Sequence, residues 1–131
     1  MFSFLAVLLT PSFMGCSTTE VLVSHEFYGC ENVDLNAPPD ESLELEVHDL
    51  QFTVVHGYTF QACEASFEPE LNLDGSNLEV VEKWTGGDAE ACETCFMAEV
   101  IVKNPEPGDY SVDWFLPGLD ESWEQVEFTV D

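Results

Sequence analysis

The cysteines and histidines are the residues whose types and spacing invite chemistry. Cys92 and Cys95 form a Cys-x-x-Cys, Cys30 and Cys63 stand apart upstream, and Cys16 follows an uncharged leader. Setting Cys16 aside, such thiols can hold zinc, cycle as a redox pair or oxidise to disulfides. A four-thiolate zinc site usually shows a Cys-x-x-Cys knuckle on each side, and this chain has a single one. A thioredoxin-like dithiol needs a surrounding βαβ pattern, whereas this motif precedes a strand pattern. Two disulfides among Cys30, Cys63, Cys92 and Cys95 are therefore expected. The preferred pairing joins Cys30 to Cys63 and Cys92 to Cys95. Crossed pairs tying Cys30 and Cys63 to the Cys92–Cys95 segment are the alternative.

His25, His48 and His56 are the only histidines. His48-Asp49 and His25-Glu26 each offer half of an acid–base pair. No Gly-x-Ser-x-Gly, no His-Glu-x-x-His and no nucleophile turn accompanies them. His48 shares its outward parity with Glu44 and Glu46, which is the pattern of a solvated face. Catalysis is not expected.

Acidic residues crowd two loops: Glu64, Glu68 and Glu70 near the Asp74 turn, and Asp88, Glu90 and Glu93 before Cys92. Calcium takes roughly six to eight oxygens, often from such loops. No Asp-x-Asp-x-Asp-Gly loop is present, so a solvated surface is the first reading. Asp74, Asp88, Glu90 and Glu93 are the residues that would take calcium, and no other cofactor is implied. Trp84, Trp114 and Trp123 read as core aromatics of a β fold. Phe115 has the opposite parity to Trp114, and with Trp123 it is a candidate contact for a sugar ring or partner protein.

These groups must be positioned by strands. Phe96, Ala98, Val100 and Val102 alternate with Glu99 and Lys103, and Tyr110, Val112 and Trp114 resume the same period beyond a Pro- and Gly-rich turn. The expectation is a β-hairpin with one apolar face. A second hairpin is expected where Leu71 and Leu73 answer Leu78 and Val80 across Asp74-Gly75-Ser76-Asn77. Further strands are expected at Val21 to Gly29, at Leu43 to Val47, from Phe52 until Gly57 interrupts, at Thr59 to Ala65, and at Trp123 to Val130. Glu31 to Ser42, with Pro38 and Pro39, has no period and reads as a loop. The fold class expected is all-β, a single antiparallel sandwich of seven to nine short strands.

The charge balance is extreme, with 27 Asp and Glu against 2 Lys and Arg, a formal charge of −25. Nucleic acid is excluded as an expected partner because phosphate binding needs clustered cations. Disorder is disfavoured, since 45% of residues are hydrophobic and 12% aromatic.

Residues 1–15 carry no charge, and the apolar run Phe2 to Leu9 is too short to span a bilayer. This is a secretory signal pattern. Phe13-Met14-Gly15-Cys16, followed by Ser17, resembles a bacterial lipobox, in which the cysteine is lipidated and becomes the mature N-terminus. The resemblance implies Cys16 as the lipidation site, residues 16–19 as a tether and residues 20–131 as the acidic domain. Pro107-Gly108-Asp109-Tyr110-Ser111-Val112 is similar to the Pro-Gly-x-Tyr lead-in to a late strand of immunoglobulin-like and fibronectin-type sandwiches. Asp74-Gly75 to Trp114, with its Cys-x-x-Cys, looks like small exported bacterial lipoproteins of no assigned function.

The reading that results is an exported, lipid-anchored sandwich with a binding or structural role at the cell envelope, on the outer membrane or cell surface, or secreted. Its partners would be the membrane through the lipid anchor, and an envelope protein or glycan. A secreted calcium- or carbohydrate-binding module is the first alternative, and a small enzyme inhibitor or histidine-dependent hydrolase fragment the second.

Overall fold

The computed structural model describes residues 20–48 and 50–131. The leader, Cys16 and the tether lie outside them. Ten strands run in chain order: β1 (Leu22–Gly29), β2 (Ser42–His48), β3 (Gln51–Ala62), β4 (Ser66–Phe67), β5 (Glu70–Asp74), β6 (Asn77–Val81), β7 (Trp84–Thr85), β8 (Glu93–Lys103), β9 (Gly108–Phe115) and β10 (Glu124–Val130). No helix occurs among the described residues. The all-β sandwich is therefore as expected. The count exceeds seven to nine because β4 and β7 are two-residue strands that pair only with each other.

One four-stranded sheet has the order β1-β8-β3-β2, and the other has the order β10-β9-β6-β5. Every pairing is antiparallel except β6 with β9, which run parallel, a departure from the purely antiparallel arrangement expected. The inner faces supply the core: Phe52 and Val54 of β3, Ala98, Val100 and Val102 of β8, Leu78 and Val80 of β6, Val112 and Trp114 of β9. Each of these is fully buried. At the edge of this core Tyr110 donates its hydroxyl to the Glu106 carbonyl at 2.8 Å, which closes the turn before β9.

β8 and β9 do not form the expected hairpin. They belong to opposite sheets, and the chain between them crosses from one layer to the other. Pro105 and Pro107 cannot donate to a ladder, so pairing stops there. Asn104 takes a φ of 57° and Gly108 a φ of 144°, which turn the chain out of the first sheet. The Asn104 amide also bonds the Leu50 carbonyl at 2.8 Å, tying the end of β8 to its own layer. The alternation read from sequence survives because both apolar faces meet across the sandwich.

β3 is one strand where two were expected. Its register against β8 jumps between His56, opposite Ala98, and Thr59, opposite Phe96. Gly57 and Tyr58 thus share the single partner Met97, which is a β-bulge. Tyr58 sits at φ 59°. A Cβ on Gly57 would lie 3.0 Å from Met97 Cε and 3.3 Å from Ser42 Oγ, so a larger residue there would have to push the Met97 side chain aside.

The disulfides join Cys30 to Cys95 and Cys63 to Cys92, so the preferred local pairing is replaced by the crossed one. The ladders dictate this. β1 runs along β8, placing the Cys30 amide 3.1 Å from the Cys95 carbonyl, and β3 places the Cys63 amide 2.9 Å from the Cys92 carbonyl. Extended chain would separate Cys92 from Cys95 by roughly 10 Å, beyond the reach of a disulfide. Two disulfides are the mark of a protein that matures in an oxidising, extracytoplasmic compartment.

The outer faces carry the charge unevenly. Glu44, Glu46 and Glu127 stand opposite Val55, Thr53 and Ser111, so their cross-strand partners are neutral. Glu99 faces Glu26, and Glu79 faces Asp113. Tyr28 also donates to Glu99. Partial burial pushes the Tyr28 hydroxyl up to about 12, aided by the bond to Glu99 and the charges of Glu99, Glu26 and Glu46. Facing like charges cost on the order of 0.2–1 kcal/mol per pair. Salt shortens the screening length from about 8 Å at 0.15 M to about 3 Å at 1 M. The melting temperature should therefore rise by a few degrees, on the order of 2–8 °C, between those salt concentrations. A calorimetric melting temperature flat over that range would show that these pairs do not repel.

Candidate functional site

Two polar residues occupy positions where strand alternation calls for apolar ones. On β3 the inward series runs Phe52, Val54, His56. On β6 it runs Leu78, Val80 and, one step past the strand, Glu82. The sandwich brings the two series face to face, and His56 and Glu82 meet in its interior. His56 is fully buried and Glu82 is 1% exposed.

Their hydrogen bonds are complete. His56 Nδ1 lies 2.6 Å from Glu82 Oε1. Trp114 Nε1 donates to the same oxygen at 2.8 Å, and Trp84 Nε1 donates to Glu82 Oε2 at 2.7 Å. The other ring nitrogen, His56 Nε2, is paired with Glu41 Oε2. Trp123 covers the imidazole, with ring centroids 4.8 Å apart, and Trp114 approaches it edge-on at 5.8 Å. Among the described residues, no buried side-chain nitrogen or oxygen lacks a partner.

Charge follows from this geometry. Burial alone would strip the proton from His56, but the bonds and charges of Glu82 and Glu41 outweigh it and hold the imidazolium pKa above its ordinary value. Burial alone would likewise protonate Glu82. The imidazolium and the two indole N–H donors reverse that and hold its carboxyl below the usual range. The arrangement thus favours an imidazolium at His56 and an ionised carboxyl at Glu82, each stabilising the other.

Glu41 forms the outer end of this series. Its side chain is 44% exposed, at the rim of a cleft of about 550 Å³. Tyr58, Phe60, Gln61, Leu116 and Leu119 line the rest. The bulge shapes this wall. Before it, Phe52, Val54 and His56 point inward. After it, Thr59 stands opposite the inward-facing Phe96, so the inward series becomes odd-numbered. Gln61 follows Thr59 and donates to its hydroxyl at 3.0 Å.

The residues singled out from sequence lie elsewhere. His48 is exposed, 3.4 Å from Glu46, on the solvated face expected for it. His25 is exposed and meets the edge of the Phe67 ring at 5.7 Å. Asp74 ends β5 at a hairpin tip, and Glu93 opens β8. Asp88 Oδ1 accepts the Glu90 amide at 2.9 Å. Among the described residues, no three side chains of His, Cys, Asp or Glu are gathered as a metal site. Phe115 is half-buried, so its outward parity does not make it a free platform. Trp123 is half-buried too, with one face over His56. His56 and Glu82 are not among the residues expected to act, and their signal in the sequence is a polar residue in core phase on each of two strands. Compared with models of protein families, with curated proteins and with solved structures, the chain matches none.

Proposed function

We propose that this chain is an exported, lipid-anchored module of the cell envelope that binds a basic side chain of a partner protein in the Glu41 cleft. The observation that carries this reading is the half-exposed Glu41 carboxylate, fixed at the mouth of the cleft by a buried imidazolium. Preorganised charge of this kind loses little freedom on binding. Phe60, Leu116 and Leu119 supply apolar walls, and the methylene stem of Lys or Arg packs well on such surfaces while its charged head meets a carboxylate. The formal charge of −25 adds a long-range field that draws cationic partners. Binding is favoured over catalysis because both ring nitrogens of His56 are taken by carboxylates, leaving neither to activate a hydroxyl or thiol. Attachment to the membrane rests on Cys16 and its lipobox-like surroundings.

Two measurements test the two halves of the proposal. N-acetyl-arginine methylamide, titrated into the protein, should shift the NMR signals of Glu41, His56 and Leu119. The citrulline analogue, neutral but of the same shape, should not, and Glu41→Ala should abolish the response. Equal response to both probes, or to neither, would overturn the cleft assignment. Separately, Cys16→Ala should move the protein from the membrane to the soluble fraction, because stable anchoring takes more than one acyl chain. Unchanged partition would overturn the anchor alone.

A further inference from the structure

The first sheet ends at β1, and among the described residues no strand pairs with its far side. β1 is the longest of the four edge strands, eight residues against seven in β2, five in β5 and seven in β10. Natural edges are blunted by lysine, proline or a bulge. β1 has none of these: it reads Leu-Val-Ser-His-Glu-Phe-Tyr-Gly and keeps one unbroken register against β8. The Cys30 amide bonds the Cys95 carbonyl of β8. By the alternation of antiparallel pairs, the backbone groups of Ser24, Glu26 and Tyr28 then also face β8, and those of Val23, His25 and Phe27 face away from it. The short strands β4 and β7 pair only with each other and leave this row open.

The side chains set this edge apart as well. Val23, His25 and Phe27 stand opposite Val102, Val100 and Ala98, on the inner face of the sheet. Phe27 meets Trp84 and Phe96 at 5.7 and 5.9 Å between ring centroids, yet it stays exposed because the sheet ends beside it. Leu22 and Tyr28 are exposed on the outer face, so β1 alone among the edge strands exposes three large apolar side chains. Between those two Glu26 stands opposite Glu99. Neither lysine relieves that pair, since Lys83 is bonded to Glu70 and Lys103 stands opposite Leu22.

We propose that β1 is a docking edge for an extended segment of a partner protein in which apolar residues alternate with lysine or arginine. Laid beside β1, such a segment bonds its backbone to the open groups of Val23, His25 and Phe27 and continues the first sheet by one strand. The two-residue period then sorts its side chains. Apolar ones fall on the inner side and extend the core past Val23 and Phe27. Cations fall on the outer side, across from Glu26, where an opposite charge offsets the repulsion between Glu26 and Glu99. Charge selects this occupant over a second copy of the chain, because two copies would bring together two formal charges of −25. The edge is separate from the Glu41 cleft, since Glu41 precedes β2, at the opposite edge of the same sheet. It stands independently of what that cleft binds.

The test titrates the full chain with the peptide acetyl-Val-Lys-Val-Lys-Val-amide and with its counterpart N-methylated at every residue, which keeps the charge and side chains but has no N–H to give a strand. By NMR the first peptide should shift the amide signals of Val23, His25 and Phe27 and show cross-strand contacts to them. The N-methylated one should lose those contacts and bind about tenfold more weakly or worse, the worth of two or more backbone hydrogen bonds. Glu26→Gln should weaken the first peptide by up to about fivefold, one cross-strand ion pair. His25→Pro removes an outward N–H without touching the ladder to β8, and it should abolish the response. If that variant misfolds, the two peptides decide alone. Equal binding of both peptides would reduce the effect to bulk charge and overturn the docking edge. No binding, undiminished binding by Glu26→Gln, or shifts confined to another edge strand would overturn it equally. Self-association of the free protein through β1 would overturn it too, by assigning the edge to a second copy.

Discussion

Replacing His56 by leucine should cost about 3–5 kcal/mol of folding stability, the penalty for leaving a buried charge without its counterion. The stranded group is Glu82, 1% exposed, whose remaining partners are the indole N–H groups of Trp84 and Trp114. Glu82→Gln in the same background should recover part of the loss. It removes the charge and keeps a carbonyl oxygen for one indole. Denaturant unfolding of the two single variants and the double variant should give a coupling energy of about 1–3 kcal/mol. Strict additivity would show that the pair acts as two independent polar residues.

The pair also sets the pH range of full stability. His56 has a raised pKa in the folded protein, so its contribution is whole below the ordinary histidine value and fades as pH climbs through the raised one. Glu82 has a lowered pKa, so its contribution is whole above the ordinary carboxylate value and fades as pH falls through the lowered one. Between these limits the ion pair stabilises fully. Both slopes should flatten in the double variant.

Removing the Cys30–Cys95 disulfide by paired alanine substitution should destabilise the domain by about 4.3 kcal/mol, and removing Cys63–Cys92 by about 3.6 kcal/mol. The difference follows from the lengths of chain they close, with sequence separations of 65 and 29 residues. Small domains have about 5–15 kcal/mol in total, so loss of both should leave a chain that barely folds. Peptide mapping without reductant should recover Cys30 with Cys95. Losses below about 1 kcal/mol in urea unfolding would mean that strand pairing, rather than cross-linking, limits the unfolded chain.

What could be read in advance has a physical pattern. Alternation reports which face of a strand is buried, and so Phe96 to Val102 and Tyr110 to Trp114 were legible as core. Alternation does not report which strand lies alongside, and so β8 and β9 read as a hairpin although they belong to opposite sheets. The β5–β6 hairpin was legible because its two-residue loop fixes the neighbour locally, with Leu71 opposite Val80 and Leu73 opposite Leu78. The cysteine pairing depended on long-range ladders and could not be reached from spacing. His56 and Glu82 stand 26 residues apart and are joined only by the stacking of two sheets. Each breaks the local hydrophobic pattern alone, and neither break has a visible reason until the other strand is in place.

The bulge at Gly57 and Tyr58 gives the cleft an origin in counting rather than in chemistry. Upstream of it Phe52, Val54 and His56 face the other sheet, and just past it Thr59 does. A chain one residue shorter at that point would run in a single frame. Thr59, Phe60 and Gln61, which all line the cleft, would then each present the opposite side, while every residue type except the deleted one stayed the same. Substitutions can tune this cleft gradually, but a single insertion or deletion would recast this wall in one step. For a protein descended with such a strand, the length of one segment is as much a functional trait as any side chain in it.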